Sequence, residues 1–375
     1  MKIIPVYLPQ FHRIPENDKW WGEGFTEWTN VKNAQPLFEG HYQPRVPLHH
    51  NYYDLTDVEV LKWQAKIARE HGIYGFSMYH YWFNGRLLLQ KPMELLLAHP
   101  EIDLHYCICW ANHDWIDSWK TTDKKVSRIL ISHNFDDEQD WIEHFNYMLP
   151  FFKDPRYINE NNKPYLGIYI PNIISKLNKM LCLWTKMAQE AGFAGLTYFY
   201  QAAPSCFDKS WDRSHFDYGM HFHPGYARMV DEFSGFKTLK WQLIKFLRPV
   251  KRILHINTSS CGNKGEILDY DKLWEKILQL RPDDDKTIPG AFVDWDNTPR
   301  RSGRGTVYFG ASPQKFKRYF RQLVLNTRKY YKQDKIFVFA WNEWGEGGYL
   351  EPDEKFGYGY LEAIRDVLME MDELE

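Results

Sequence analysis

Short apolar runs rich in β-branched and aromatic residues recur along the 375 residues, and longer amphipathic stretches lie between them. The runs are 2–8 (KIIPVYL), 73–80 (IYGFSMYH), 104–110 (LHYCICW), 164–170 (PYLGIYI), 195–201 (GLTYFYQ), 217–222 (DYGMHF), 289–294 (PGAFVD) and 336–342 (IFVFAWN). Runs of this length bounded by polar or turn residues read as buried strands. Of the intervening stretches, 57–70 (DVEVLKWQAKIARE) repeats its apolar residues at three and four, and Gly72 reads as the cap that ends it. Similar helical patterns occupy about 136–152, 175–191, 269–280 and 312–332, and 358–371 reads as a closing helix.

Strands alternating with helices predict βα units on a parallel sheet, and eight strands predict closure. The expected fold class is α/β, a single (β/α)8 TIM-type barrel over residues 1–375 with long insertions in the βα loops, at about 11–55 and 203–262. No internal repeat, low-complexity tract or Pro/Gly/Ser linker divides the chain.

In such a barrel the working groups stand at the carboxyl ends of the strands and in the loops that follow. Here those positions are unusually polar and aromatic. Tyr7, Gln10 and His12 close the first run, Tyr79, His80, Tyr81 and Trp82 the second, and Trp110, Asn112 and His113 the third. Tyr169 closes the fourth, Tyr200 and Gln201 the fifth, and His221 and His223 the sixth. Trp295 and Asp296 close the seventh; Trp341, Asn342, Glu343 and Glu346 close the eighth. Trp28 lies in the first insertion among Trp20, Trp21, Glu23 and Glu27, a loop suited either to a sugar platform or to anchoring on the barrel.

Composition narrows the chemistry. With 47 Lys and Arg against 49 Asp and Glu, the chain lacks the basic field that nucleic-acid backbones require. The 16 Trp, 24 Tyr and 24 Phe make 17% of the chain aromatic, which suits a cleft that stacks on sugar faces and also suits a large barrel core. Five scattered cysteines without C-x-x-C spacing read as reduced thiols. The apolar stretch at the N-terminus is too short for a signal peptide, and no run approaches the roughly 18 apolar residues of a membrane span, so a cytoplasmic location is expected.

The strongest chemical signal is WNEWGEG, 341–347, where an apolar strand runs into two carboxylates three residues apart. Spacing of i, i+3 brings both to one side of a turn. Glycosidic cleavage needs such a pair, one group to protonate the departing oxygen and one to act as base or nucleophile. The alternative is that Glu343 and Glu346 simply pair with Arg or Lys at the rim. HFH, 221–223, could join Asp294 or Asp296 in a metal site, but scattered histidines make hydrogen bonding the simpler role, and neither metal nor cofactor is expected. DWD, 294–296, matches the short D-x-D signature of many nucleotide-sugar enzymes only superficially, and Arg300 and Arg301 just beyond it can pair with carboxylates or an anionic sugar.

Several longer stretches carry a family resemblance: YLPQFH (7–12), WWGEGFTEWTNV (20–31), GHYQPRVPL (40–48), GFSMYHYWFNGR (75–86), CWAN (109–112), DWDNTPRR (294–301) and AWNEWGEGGYLEPD (340–353). They run nearly end to end, and the chain resembles the WbsX-type proteins of the glycoside hydrolase family 99 clan, associated with polysaccharide and lipopolysaccharide gene clusters. The resemblance implies a (β/α)8 barrel. It also implies roles: Glu343 deprotonates the sugar 2-hydroxyl, Glu346 acts as general acid/base, and the 2-oxygen closes on the anomeric carbon to give a 1,2-anhydro sugar that water opens with retention. Trp344 and Gly345, between the two carboxylates, differ from the endo-mannosidase branch, and His113 and Asp114 stand where the family pattern more often has Glu-Asn, so substrate specificity does not transfer.

The leading expectation is a retaining glycoside hydrolase cleaving an α-linked glycan, mannan-like or from a bacterial surface polysaccharide. A glycosyltransferase of lipopolysaccharide, O-antigen or capsule assembly is the alternative from another enzyme class, and a non-catalytic glycan-binding barrel is the third reading. The expected partner is an oligosaccharide or glycan; no nucleic acid and no integral membrane segment are expected.

Overall fold

The computed structural model describes residues 1–117, 128–203, 206, 211–233 and 265–374. Each of the eight runs forms a strand. They are β1 (Lys2–Tyr7), β2 (Gly75–Phe83), β3 (His105–Trp110), β4 (Lys163–Ile168), β5 (Thr197–Ala202), β6 (Tyr218–His221), β7 in two halves (Thr287–Ile288 and Gly290–Phe292), and β8 (Lys335–Phe339). Neighbours pair in parallel in chain order from β1 to β6. The first half of β7 pairs with β6 and the second half with β8, which pairs in turn with β1 and closes the cylinder.

The core explains the near-continuous apolar strands. Helices cover the outside and side chains fill the inside, so both faces of a strand are dry. Ile3, Val6, Ile336 and Val338 have no exposed surface, and each such burial contributes roughly 1.5–3 kcal/mol. Helices Val58–Glu70, Glu138–Phe152, Leu177–Glu190, Tyr270–Gln279, Pro313–Asn326 and Gly359–Glu370 fall within two residues of the expected spans, apart from the tail of 312–332, where a separate turn, Thr327–Tyr331, follows Asn326. Their starts follow from capping: Asp57, Asp137, Asp269 and Ser312 each accept a hydrogen bond from a backbone N–H of the first turn.

The first insertion folds into two short helices, Pro15–Trp21 and Glu27–Asn33. Most of the second, 203–262, lies outside the described residues, as does Cys261. Cys107, Cys109 and Cys182 are free thiols. Among the described residues no helix is long and apolar enough to cross a membrane.

Pro289 divides β7, and Gly290 follows it where β7 presses against the end of β6. A Cβ at Gly290 would stand 1.8 Å from the His221 carbonyl oxygen, which is backbone and cannot rotate away. Gly290→Ala should therefore lower stability by about 3 kcal/mol or more, as an overpacked core position does. Urea midpoints of the two proteins check this, and an unchanged midpoint would show that the seam between β6 and β7 is slack.

Candidate active site

At the carboxyl ends of the strands lies a cleft of about 530 Å³, within the range of small-ligand pockets. Of the residues singled out from the sequence, Gln10, Tyr79, Tyr81, His113, Tyr169, Trp295, Glu343 and Glu346 line it. Past β8, the Phe339–Ala340 peptide is cis, and the Asn342 amide bonds both backbone groups of Leu8, accepting from its N–H at 2.8 Å and donating to its carbonyl at 3.0 Å. A single 3₁₀ turn, Trp344–Glu346, follows. That turn delivers both carboxylates to the cleft wall.

The pair meets a common cation. Arg300, on the short helix Thr298–Arg301 beyond β7, places Nη2 2.9 Å from Glu343 Oε1, Nη1 3.1 Å from Glu346 Oε1, and Nε 2.8 Å from Glu27 Oε1. The alternative of rim ion pairing and the expectation of a carboxylate pair in a cleft are thus both realised, because the guanidinium bridges the carboxylates without closing the cavity beside them. Three carboxylates share one positive charge. Burial pushes the Glu343 carboxyl up to about 8; Arg300 opposes the rise, while Glu346 and Glu27 reinforce it.

Gly345 lies hard against this cluster, and a larger residue there would displace it. A Cβ there would lie 2.2 Å from Glu27 Oε1 and 2.8 Å from Arg300 Nε.

Around the carboxylates the walls are aromatic. Tyr81 is buried near Glu343 and Arg300, and Tyr169 near Glu346, with burial raising both phenols. Tyr79 donates its hydroxyl to Gln201 Oε1 at 3.0 Å and meets Tyr169 edge to face. Trp295 leans on Phe339, and Trp21, Phe25, Trp115 and Phe222 complete the lining. Two buried polar atoms of the lining, His113 Nδ1 and Gln10 Nε2, have no hydrogen-bond partner. Burial pushes His113 down to about 4, leaving a neutral imidazole at pH 7. Orphaned polar atoms on a cavity wall are places where a polar ligand replaces lost water.

The other sequence candidates stand behind this lining. Tyr7 donates to Gln64 Oε1 at 3.0 Å inside the barrel, and Trp341 packs against Phe76. His12 is buried, and burial lowers its pKa. Trp28 anchors the first insertion through Nε1 to the Tyr53 carbonyl at 2.8 Å. Asn112 bonds both backbone groups of Ile170 as Asn342 does those of Leu8. His80, Trp82 and Trp110 face helix Glu138–Phe152, where His80 Nε2 meets His144 Nε2 at 3.0 Å, Trp82 donates to Asp140 at 2.9 Å, and Trp110 meets the His144 ring edge to face. His221 stacks on Tyr226 and lies beside His223, both buried. Asp296 accepts from Gln43 and Thr298 and pairs with His41; burial would raise it, but these partners and Arg45 hold it at about 2. Among the described residues no group of three or more His, Cys, Asp or Glu is arranged to hold a metal ion.

Beneath the turn Trp344–Glu346 lies Glu351, which the run pattern did not single out. It accepts from Trp344 Nε1 at 2.8 Å, Tyr53 hydroxyl at 2.8 Å and Gln64 Nε2 at 2.7 Å.

A model described as glycosyltransferase WbsX matches residues 3–364. Two curated relatives, each described as uncharacterized protein WxcX of Xanthomonas campestris pv. campestris, are 34% and 33% identical over 98% of the chain. The chain spans about half the length of those relatives, 49%. Among solved structures, an endo-alpha-mannosidase of family GH99 from Bacteroides thetaiotaomicron superposes with a TM-score of 0.55 at 12% identity, over 99% of this chain and 98% of that one. A glycoside hydrolase-like protein gives 0.52 at 12% identity, over 98% and 93%. At that identity the likeness is one of fold.

Burial raises the Glu351 carboxyl from its ordinary 4.5 to about 7, against the pull of its donors. Its proton therefore favours the folded state. The stabilisation is complete below about pH 4.5 and is lost as pH rises through 7, on the order of 3 kcal/mol in all. Wild-type urea midpoints should fall between pH 5 and 7.5 more steeply than those of Glu351→Gln; parallel curves would refute this.

Proposed function

The chain belongs to the WbsX glycosyltransferase family, and from that membership and the chemistry of the cleft we propose that it is a carbohydrate-active enzyme that cleaves an α-linked glycan through Glu343 and Glu346. The observation that carries this reading is the pair of carboxylates on one guanidinium, walled by aromatic rings and faced by unpartnered polar groups. Aromatic faces suit the C–H faces of sugars, and free donors and acceptors suit their hydroxyls.

Acid/base cleavage needs one carboxyl protonated and one ionised at the same pH. The cluster supplies that division. Like charges resist joint ionisation in a dry site, and burial favours the proton on Glu343. In the resting site Glu343 is accordingly the acid, facing Arg300, while the resemblance to family 99 gives it the opposite task of taking the 2-hydroxyl proton. That task requires Glu343 to ionise first, which Arg300 assists and burial opposes. Retention through a 1,2-anhydro sugar thus belongs to the ionised form of Glu343, and direct protonation of the leaving oxygen to the protonated form.

Transfer is the second reading, favoured by the description of the family itself. The same carboxylates would serve it with a sugar hydroxyl in place of water. In this reading a D-x-D cation site is not the route to the donor, because Asp294 is engaged by Arg45 at 2.8 Å and Asp296 by His41, Gln43 and Thr298.

The test is a mass-spectrometric product screen on α-linked oligosaccharides, beginning with α-mannosides and bacterial surface glycans, with and without nucleotide-sugar donors. Glu343→Gln and Glu346→Gln should each reduce turnover about 10²–10⁴-fold with the fold intact. Full activity in both variants would end the proposal, and tight binding without products would leave a binding barrel. The pH profile assigns the roles: kcat/KM falling as pH rises through about 8 makes Glu343 the acid, and kcat/KM rising through that value makes it the base.

A further inference from the structure

Glu27 belongs to the first insertion, more than three hundred positions from the turn it faces, yet it is only 2% exposed and lies against Arg300. Anchoring the insertion does not require it. The neighbouring Trp28 already packs on Phe11, Tyr53 and Trp344 and bonds the Tyr53 carbonyl. A buried carboxylate is costly unless its partner repays the desolvation, and the partner here is the guanidinium that also holds both reacting carboxyls.

We propose that Glu27 and Arg300 are positioning residues which together set how tightly Glu343 holds its proton, Glu27 by drawing the guanidinium toward its Nε side and Arg300 by bridging Glu343 to Glu346. The proposal rests on the reading that Glu343 and Glu346 divide acid and base. A guanidinium donates along three directions in its plane. Here Glu27 takes Nε, Glu346 takes Nη1 and Glu343 takes Nη2. The groups that face Glu343 are Arg300 from beyond β7, Glu346 from its own turn, Glu27 from the insertion and Tyr81 from β2. Tyr169, His113, Asp114 and Arg301 line the same cleft.

Glu27 acts twice in one direction. Its charge repels an ionised Glu343, and its hold on Nε competes for the cation that would favour ionisation. Gly345 keeps the arrangement compact, since a Cβ would strike both Glu27 and Arg300. Losing Glu27 should ease ionisation of Glu343, and losing Arg300 should hinder it. A merely structural anchor has no reason to give opposite signs.

The test is a pH titration of protein labelled with ¹³C-glutamate, followed by NMR, with Glu343→Gln assigning the resonance. Glu27→Gln should move the Glu343 midpoint toward acid by about two pH units, the scale of one charge roughly 6 Å away at an effective dielectric near 20. Arg300→Gln should move it toward alkaline by a similar amount. If Arg300→Gln does not fold by circular dichroism, Arg300→Lys, which keeps the charge but not the three-way geometry, should give a smaller alkaline shift. Midpoints that move in the same direction, or a Glu27→Gln midpoint displaced by less than about 0.3 units, overturn the proposal. The titration uses no substrate, so full glycan turnover by Glu343→Gln would sink the catalytic reading while this result stood on its own.

Discussion

One guanidinium holding three carboxylates is the constraint on which the mouth of this barrel depends. Glu27 and Glu343 are buried and the Arg300 side chain is 11% exposed, and the effective penalty for burying such an ion is several kcal/mol. With all four groups ionised the cluster carries two surplus negative charges, and a dry site relieves that by keeping a proton on one carboxyl. Three segments far apart in the chain must converge for this to occur: the first insertion, the helix beyond β7 and the turn beyond β8. Packing around Gly345 allows the approach, and the Asn342 amide fixes the strand end from which the turn departs.

Much of this was legible in the residues, and the parts that were not have a common cause. The strands showed as apolar runs because a parallel barrel buries both faces, but that same double burial hides which residues point inward. On β2 the alternation sends Tyr79 and Tyr81 to the cleft and His80 and Trp82 to helix Glu138–Phe152. Without a polar face to mark the phase, which of the four meet the cleft and which cover a helix stayed open. Asn112 and Asn342 were ambiguous for another reason. An amide at a strand end serves a ligand or a neighbouring backbone equally well, and here both satisfy backbone groups where the ladders stop. Arg300 was recognisable as a carboxylate partner within DWDNTPRR. The part of Glu27 was not, because it depends on a loop crossing the mouth.

The likeness to solved family 99 enzymes at 12% identity fits this division of labour. A cylinder fixes where strand ends stand, and so constrains a pair of acids on β8 strongly. It constrains the loops weakly, so residues such as His113 and Trp21 at the cleft can change with little cost to the core.

Pro289 gives the cylinder a weak point. It divides β7 so that only Gly219–Thr287 and Met220–Ile288 pair across to β6, against six pairs between β2 and β3. The seam between β1 and β2 is equally short, with only Val6–Ser77 and Tyr7–Met78, and a closed hoop opens first at its short splices. Breathing of the molecule should begin at these two splices, while four pairs tie β8 to β1 and steady the strand from which the turn with its two acids departs.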